Sequence, residues 1–200
     1  LSPLRSHTDA AAGGINAALG EGDTWESHAF DTIKGSDYIA DQDSVEFLCR
    51  EAPQTVVDMD HLGTPFSRDE QGHLHNRPFG GHGLPRAYFA GDRTGLALMQ
   101  TAWEHLVREG VTLYEEWAVT SLIVEEGRFA GLVAYRIADG TLEDFQGRAC
   151  VLAKGPAGQI YLKSTNAVTC TGDGLAQAMH VGGALKDMEF IQFHPTSLYG

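Results

Sequence analysis

Arg5-Ser6-His7-Thr8, followed closely by Gly13-Gly14-Ile15-Asn16, is the stretch from which the fold of this 200-residue chain is read. A histidine stands between two hydroxyl residues, and a glycine pair then opens a run of small residues. Glycines let backbone N–H groups approach a ligand closely, and a helix N-terminus favours an anion. The stretch therefore reads as a phosphate-facing loop carrying a reactive imidazole. Ile15 to Leu19 is expected to form a short helix that Gly20 ends. Two later stretches strengthen this reading: Thr171-Gly172-Asp173-Gly174 and Gln192-Phe193-His194-Pro195-Thr196.

Outward from that loop, the pattern alternates between helical and strand periods. Residues 21–41 are expected to hold a short helix and a loop around Lys34-Gly35-Ser36-Asp37. Asp43 is expected to cap a helix, with Glu46 completing a capping box. Pro53 suits the first turn of a second helix that runs to Gly63. Residues 63–92 are rich in Gly, Pro and His, and irregular runs of that length usually carry function. A strong helix is predicted at 94–109, with Leu96, Met99, Trp103, Leu106 and Val107 on its apolar face.

From 111 to 153 the period becomes two. Strands are expected at 112–117, 119–125, 129–137 and 142–146, turning at Glu126-Gly127 and Asp139-Gly140. Ala149 to Ala153 reads as a buried strand without alternation, and Asp173 starts a helix towards Gly182-Gly183. The fold class expected is α/β: a nucleotide-binding domain with an antiparallel β insertion at 111–147.

Composition narrows the function. The hydrophobic content of 42% supports one substantial core. The net charge of −13, spread over both halves, argues against a nucleic-acid footprint. Cys49, Cys150 and Cys170 are far apart with no C-x-x-C pairing, so neither an iron–sulphur nor a zinc site is expected from this chain. No apolar run is long enough to span a membrane. The start has no signal-peptide pattern and no Met, so the chain is expected to begin inside a larger domain.

With these motifs assembled, the sequence resembles the flavoprotein subunit of succinate dehydrogenase and fumarate reductase. The resemblance runs almost end to end, through Arg5-Ser6-His7-Thr8, Gly13 to Leu19, Asp31-Thr32-Ile33-Lys34-Gly35-Ser36-Asp37 and Cys49-Arg50-Glu51-Ala52-Pro53. It continues through Pro65-Phe66-Ser67-Arg68, Arg77-Pro78-Phe79-Gly80-Gly81, Asp92-Arg93-Thr94-Gly95, Cys170 to Gly174, Asp187-Met188-Glu189-Phe190 and His194-Pro195-Thr196. It implies that residues 1–200 are part of an FAD-binding Rossmann-like domain with FAD as cofactor, held by Ser6, His7, Thr8, Gly13, Gly14, Ala153, Gly155 and Asp173. His7 stands where the family tethers its flavin through a histidyl bond, a role suited to a nucleophilic imidazole. L-aspartate oxidase and soluble fumarate reductases share much of the pattern without that histidine.

Asp173 matches the family's carboxylate beside the flavin nucleotide; on pattern alone it could equally be a plain helix cap. His194 matches the histidine that hydrogen-bonds a dicarboxylate substrate, its alternative being a core histidine satisfied by a carbonyl. Phe79 matches the residue packed beside that substrate, or is an ordinary aromatic anchor of its loop. The resemblance further implies interconversion of succinate and fumarate, with hydride passing to flavin N5 and electrons going to an iron–sulphur subunit. Membrane-anchor subunits and quinone would follow, on the cytoplasmic face of the inner membrane or the matrix side of a mitochondrion. The family's proton-shuttle arginine lies beyond Gly200, and its pyrophosphate-gripping glycine fingerprint precedes Leu1.

Three positions depart from the family pattern. Ala12 replaces a glutamine, Lys154 replaces a small hydroxyl residue, and Pro156 replaces a glycine and removes a backbone donor. They leave open a flavin-deficient or non-catalytic homologue, and an aspartate-oxidase-like enzyme is the other alternative.

Overall fold

The computed structural model describes residues 5–193. The chain divides into two compact units, one formed by Thr8–Val111 and the other by Leu1–His7 with Thr112–Gly200.

In the first unit, a 3-10 turn at His7–Ala10 leads into β1 (Ile15–Asn16). The helix expected from Ile15 to Leu19 is absent. Gly14 adopts φ 125°, and Ile15 and Asn16 instead pair antiparallel with Tyr88 and Ala87 of β3 (Ala87–Tyr88). The other edge of β3 pairs with β2 (Asn76–Arg77), giving a small sheet in the order β1-β3-β2. Long-range pairing, invisible to local periodicity, overrides the helical pattern of small residues here.

α1 spans Trp25–Gly35, capped by the Thr24 hydroxyl, which accepts from the Ser27 amide at 3.2 Å. α2 spans Gln42–His61 without interruption. Its cap is Asp41, accepting from the Ser44 amide at 3.1 Å, rather than Asp43. Pro53 lies inside this single helix rather than opening a second one. Proline forfeits only the bond to the Cys49 carbonyl, while fully buried Cys49 and Val56 hold both halves of the helix to the core. That core gathers Ala17, Val56, Phe66 and Tyr88, with Ile15, Ala52, Met59, Leu74 and Leu98 packed against it.

α3 spans Thr94–Arg108, as periodicity predicts, but presents a different face to the unit. Its buried residues are Thr94, Gly95, Ala97 and Thr101, whereas Leu106 and Val107 are exposed. Close approach is the reason. A Cβ on Gly95 would lie 1.7 Å from the Thr8 carbonyl oxygen, so only small residues fit that side.

In the second unit, β4 (Trp117–Glu125), β5 (Arg128–Arg136) and β6 (Leu142–Gln146) form an antiparallel meander. Glu126 and Gly127 both take positive φ, as a tight two-residue hairpin turn requires. Register shifts leave Thr120 unpaired in β4, between Val119 and Ser121, and Ala130 unpaired in β5, opposite Ile123 and Val124. Tyr114, Trp117 and Phe145 pack edge to face, with centroids 4.8 Å and 5.3 Å from the Phe145 ring. Residues 112–116 do not extend the sheet.

Nor do Ala149 to Ala153 form a strand, and Val151 is 90% exposed. A strand needs a neighbouring edge, and none of the described residues offers one here. α4 (Asp173–His180) follows Gly172, which is left-handed at φ 76° and carries no side-chain cap. Asp173 is therefore the first helical residue and not the cap.

Candidate functional site

The unit built from Thr8–Val111 brings together the glycine pair and the aromatic residue singled out in the sequence. A Cβ on Gly14 would sit 2.6 Å from the Tyr88 carbonyl oxygen, so the backbone runs hard against β3. Gly13 lies under Phe79, whose Cζ would be 3.4 Å from an added Cβ. Arg77 clasps this loop. Its Nη2 donates to the carbonyls of Ala12 at 2.6 Å and Gly13 at 2.7 Å, and its Nε donates to Gly13 at 3.2 Å. The guanidinium also stacks 4.2 Å from the Phe89 ring centroid and 5.6 Å from that of Phe79. The Thr8 carbonyl accepts from the Ala11 amide at 3.0 Å and closes the 3-10 turn.

Beside the Gly80-Gly81 loop lies a polar cavity of about 190 Å³, whose lining includes Asn16, His28, Asp31, His82 and Arg86. Arg86 is fully buried. It donates to both carboxylate oxygens of Asp23, at 2.9 and 2.8 Å, and to Asp31 at 2.5 Å. Asp31 also accepts from the Gly83 amide at 2.7 Å, which ties the glycine loop to α1. His82 Nε2 lies 3.0 Å from Asn16 Nδ2, which makes that ring nitrogen the acceptor. Nδ1 of both His28 and His82 is buried without a partner among the described residues.

Burial, and then the Arg86 charge, lower the pKa of both imidazoles and keep them neutral. Burial pushes the Asp31 carboxyl up, but the Gly83 amide and Arg86 outweigh it and hold the group below the usual carboxylate range.

In the other unit, His7 Nδ1 accepts from the Ala167 amide at 3.2 Å, and Nε2 has no hydrogen-bond partner among the described residues. The Ser6 hydroxyl oxygen is buried with no partner among the described residues. Gly155, at φ 80°, passes Cys170, whose Sγ would lie 3.9 Å from an added Cβ. Asp173 is already engaged: Lys154 Nζ forms an ion pair with one carboxylate oxygen, and the Thr171 hydroxyl donates to the other at 2.7 Å. Burial raises the Asp173 pKa, but the bonds from Lys154 and Thr171 more than offset it, so the group stays ionised. His194 lies outside the described residues.

Sequence reading missed Arg77 and Arg86 as organising residues. Both sit in the Gly/Pro/His-rich run, where an arginine normally reads as a solvated loop residue. Asp9, both of whose carboxylate oxygens are buried without a partner among the described residues, also escaped notice. Its only sequence signal is a charge within a run of small residues.

The donor set fits a dinucleotide. One unit offers a buried hydroxyl at Ser6 and a His7 imidazole with one ring nitrogen unpartnered among the described residues, and the other offers the closely packed glycine backbone at Gly13. The relatives agree. The succinate dehydrogenase flavoprotein subunit of Rickettsia felis is 44% identical over 209 residues, covering 100% of this chain and 35% of that protein. The fumarate reductase flavoprotein subunit of Mycobacterium tuberculosis is 44% identical over 197 residues, covering 98% of this chain and 34% of its own length. A solved E. coli quinol fumarate reductase superposes with TM-score 0.96 at 37% identity, over 99% of this chain and 34% of that one. The chain thus spans about a third of the length of the relatives it matches. The FAD binding domain profile matches residues 1–200 from end to end, and on that match, with the fold and donor set described, the chain belongs to the FAD binding domain family.

Proposed function

We propose that this chain is the flavin- and dicarboxylate-binding segment of a succinate dehydrogenase or fumarate reductase flavoprotein, and that residues 1–200 form part of one FAD-binding domain with an antiparallel insertion at 111–147. The observation that carries the reading is its whole-length 44% identity to proteins of both names. Bound FAD would supply the hydride acceptor.

This chain's residues would bind and orient. Ser6, Thr8, Gly13, Gly14, Ala153 and Gly155 line the cofactor, and Asp173 accepts a hydroxyl of its nucleotide. His7 carries the covalent link. An imidazole substituted at Nε2 keeps Nδ1 as an acceptor, so the hydrogen bond from the Ala167 amide is compatible with the tether. Phe79 packs beside a succinate or fumarate, clamped by the Arg77 loop, and His194 donates to a substrate carboxylate. Electrons would pass to an iron–sulphur subunit and then, through membrane anchors, to quinone. No helix of the described residues is long and apolar enough to cross a membrane, which is compatible with attachment through such partners on the cytoplasmic or matrix side.

Acid precipitation of the full-length chain tests the reading. Yellow flavin should remain with the precipitate in the native protein and be lost in His7→Ala. A protein that takes up no flavin under any condition would refute it and favour a non-catalytic homologue. Noncovalent flavin with amino-acid oxidation would instead indicate an aspartate-oxidase-like enzyme.

A further inference from the structure

Lys154 stands where the family resemblance places a small hydroxyl residue, and its surroundings form a closed network. Its ammonium pairs with Asp173 Oδ2 and lies 3.4 Å from both the Val119 carbonyl and Gln177 Oε1. Gln177 is 5% exposed and is fixed by its own bond to the Val119 carbonyl at 2.7 Å. The methylene stem of Lys154 lies over Gly174, whose added Cβ would meet Lys154 Cβ at 3.1 Å. The three donor directions of the ammonium thus face three acceptors of the chain. Both oxygens of Asp173 likewise carry internal donors, from Lys154 and from Thr171.

A carboxylate in this state does not wait open for a ligand. The Lys154 side chain is 26% exposed and that of Asp173 42%, so water screens the pair in part. Charge-assisted hydrogen bonds are the stronger ones, and a neutral ligand hydroxyl must share Asp173 with a full positive charge already in place. A threonine side chain carries no charge to pair with the carboxylate. Gly174 and Gln177 help to hold the lysine there.

We propose that Lys154 is a positioning residue that sets flavin affinity, acting as an internal competitor for Asp173. The proposal rests on the reading above that Asp173 meets the flavin nucleotide. Removing the ammonium frees one oxygen of Asp173 for the ligand. One regained hydrogen bond to a charged acceptor, less the ion pair's own screening of that charge, corresponds to about a tenfold gain in FAD affinity.

The test is an FAD titration followed by quenching of flavin fluorescence, in the full-length chain carrying His7→Ser so that binding stays reversible. Lys154→Thr and Lys154→Met should both lower the Kd by about tenfold. The gap from the parent should narrow as salt weakens the parent's ion pair. Thermal melts confirm that each variant is folded, and two substitutions guard against loss of either one. An unchanged or raised Kd in both variants overturns the proposal, a raised value meaning that Lys154 itself contacts the cofactor.

Asp173→Asn separates this failure from failure of the underlying reading. If Asp173→Asn weakens binding in the Lys154→Met background, Asp173 meets the flavin, and the Lys154 result alone decides the proposal. If it has no effect there, Asp173 is not in the flavin site and the reading beneath the proposal fails.

Discussion

Replacing Arg86 by alanine should destabilise the protein by about 3–5 kcal/mol, the usual result of stripping the partner from a buried charge. The Arg86 side chain is 0% exposed and that of its main partner, Asp23, is 1% exposed. Two parallel hydrogen bonds, at 2.8 and 2.9 Å, are the only side-chain donors to Asp23 among the described residues. Without Arg86, Asp23 must stay ionised in a dry site, take up a proton, or drag water into the sheet edge beside β3. Asp31 suffers less, because its side chain is 16% exposed and it keeps the Gly83 amide.

Arg86→Lys should therefore fall between wild type and Arg86→Ala, since it restores charge but not the two-pronged geometry. The double variant Asp23→Leu/Arg86→Met should be less harmful than Arg86→Ala, because it removes the orphaned charge at Asp23 together with its partner. Urea unfolding of the full-length chain, followed by tryptophan fluorescence and far-UV circular dichroism, measures each. With a slope of about 2 kcal/mol per molar urea, Arg86→Ala should lower the midpoint by roughly 2 M. A loss below about 1 kcal/mol, or a double variant as damaged as Arg86→Ala, would refute the argument that Asp23 depends on this single cation.

Gly95→Ala should cost about 3 kcal/mol or more, because its Cβ would collide with the Thr8 backbone rather than with a movable side chain; the same urea titration reads it. Asp9→Asn should stabilise the chain by about 1 kcal/mol, as a buried carboxylate without donors gives way to a neutral amide, measured as a higher melting temperature. His28 and His82 have pKa values lowered by burial and by Arg86, so the folded state binds fewer protons than the unfolded chain. Stability should thus be full above the unfolded histidine pKa, near 6.5, and fall as pH drops below it; His82→Gln should flatten part of that fall. Asp31, held below the usual carboxylate range, contributes stability present above its unfolded pKa of about 3.9 and lost as pH falls through the lower folded value. Asp31→Asn should remove that acid limb from a pH series of melting temperatures.

The elements legible in the sequence are those that local pattern controls. The meander β4-β5-β6 follows from alternation and from Glu126-Gly127, whose left-handed conformations suit a two-residue turn. α1, α3 and α4 follow from apolar spacing and glycine stops. Ser6, His7, Gly13 and Gly14 were legible as candidate ligand-facing residues because their chemistry is unusual in so short a run. What failed was whatever depended on a neighbour. Ile15 and Asn16 became a strand because Tyr88 and Ala87 lie beside them, and Ala149 to Ala153 did not because no described edge receives them.

Sequence alone therefore determined the family, the glycine loop and the acidic, helix-and-meander character of the chain, and it marked His7 as a candidate. Each is a matter of residue chemistry at fixed local spacing. Only the tertiary structure decided that Pro53 sits inside one continuous helix and that α3 turns its small residues inward. It also decided that Arg86 neutralises Asp23 from a position 63 residues away. At the opening loop, it showed Arg77 gripping Gly13 and the Ala167 amide fixing one nitrogen of His7. These outcomes depend on desolvation and on contacts between residues remote in sequence, and neither quantity exists until the chain has folded.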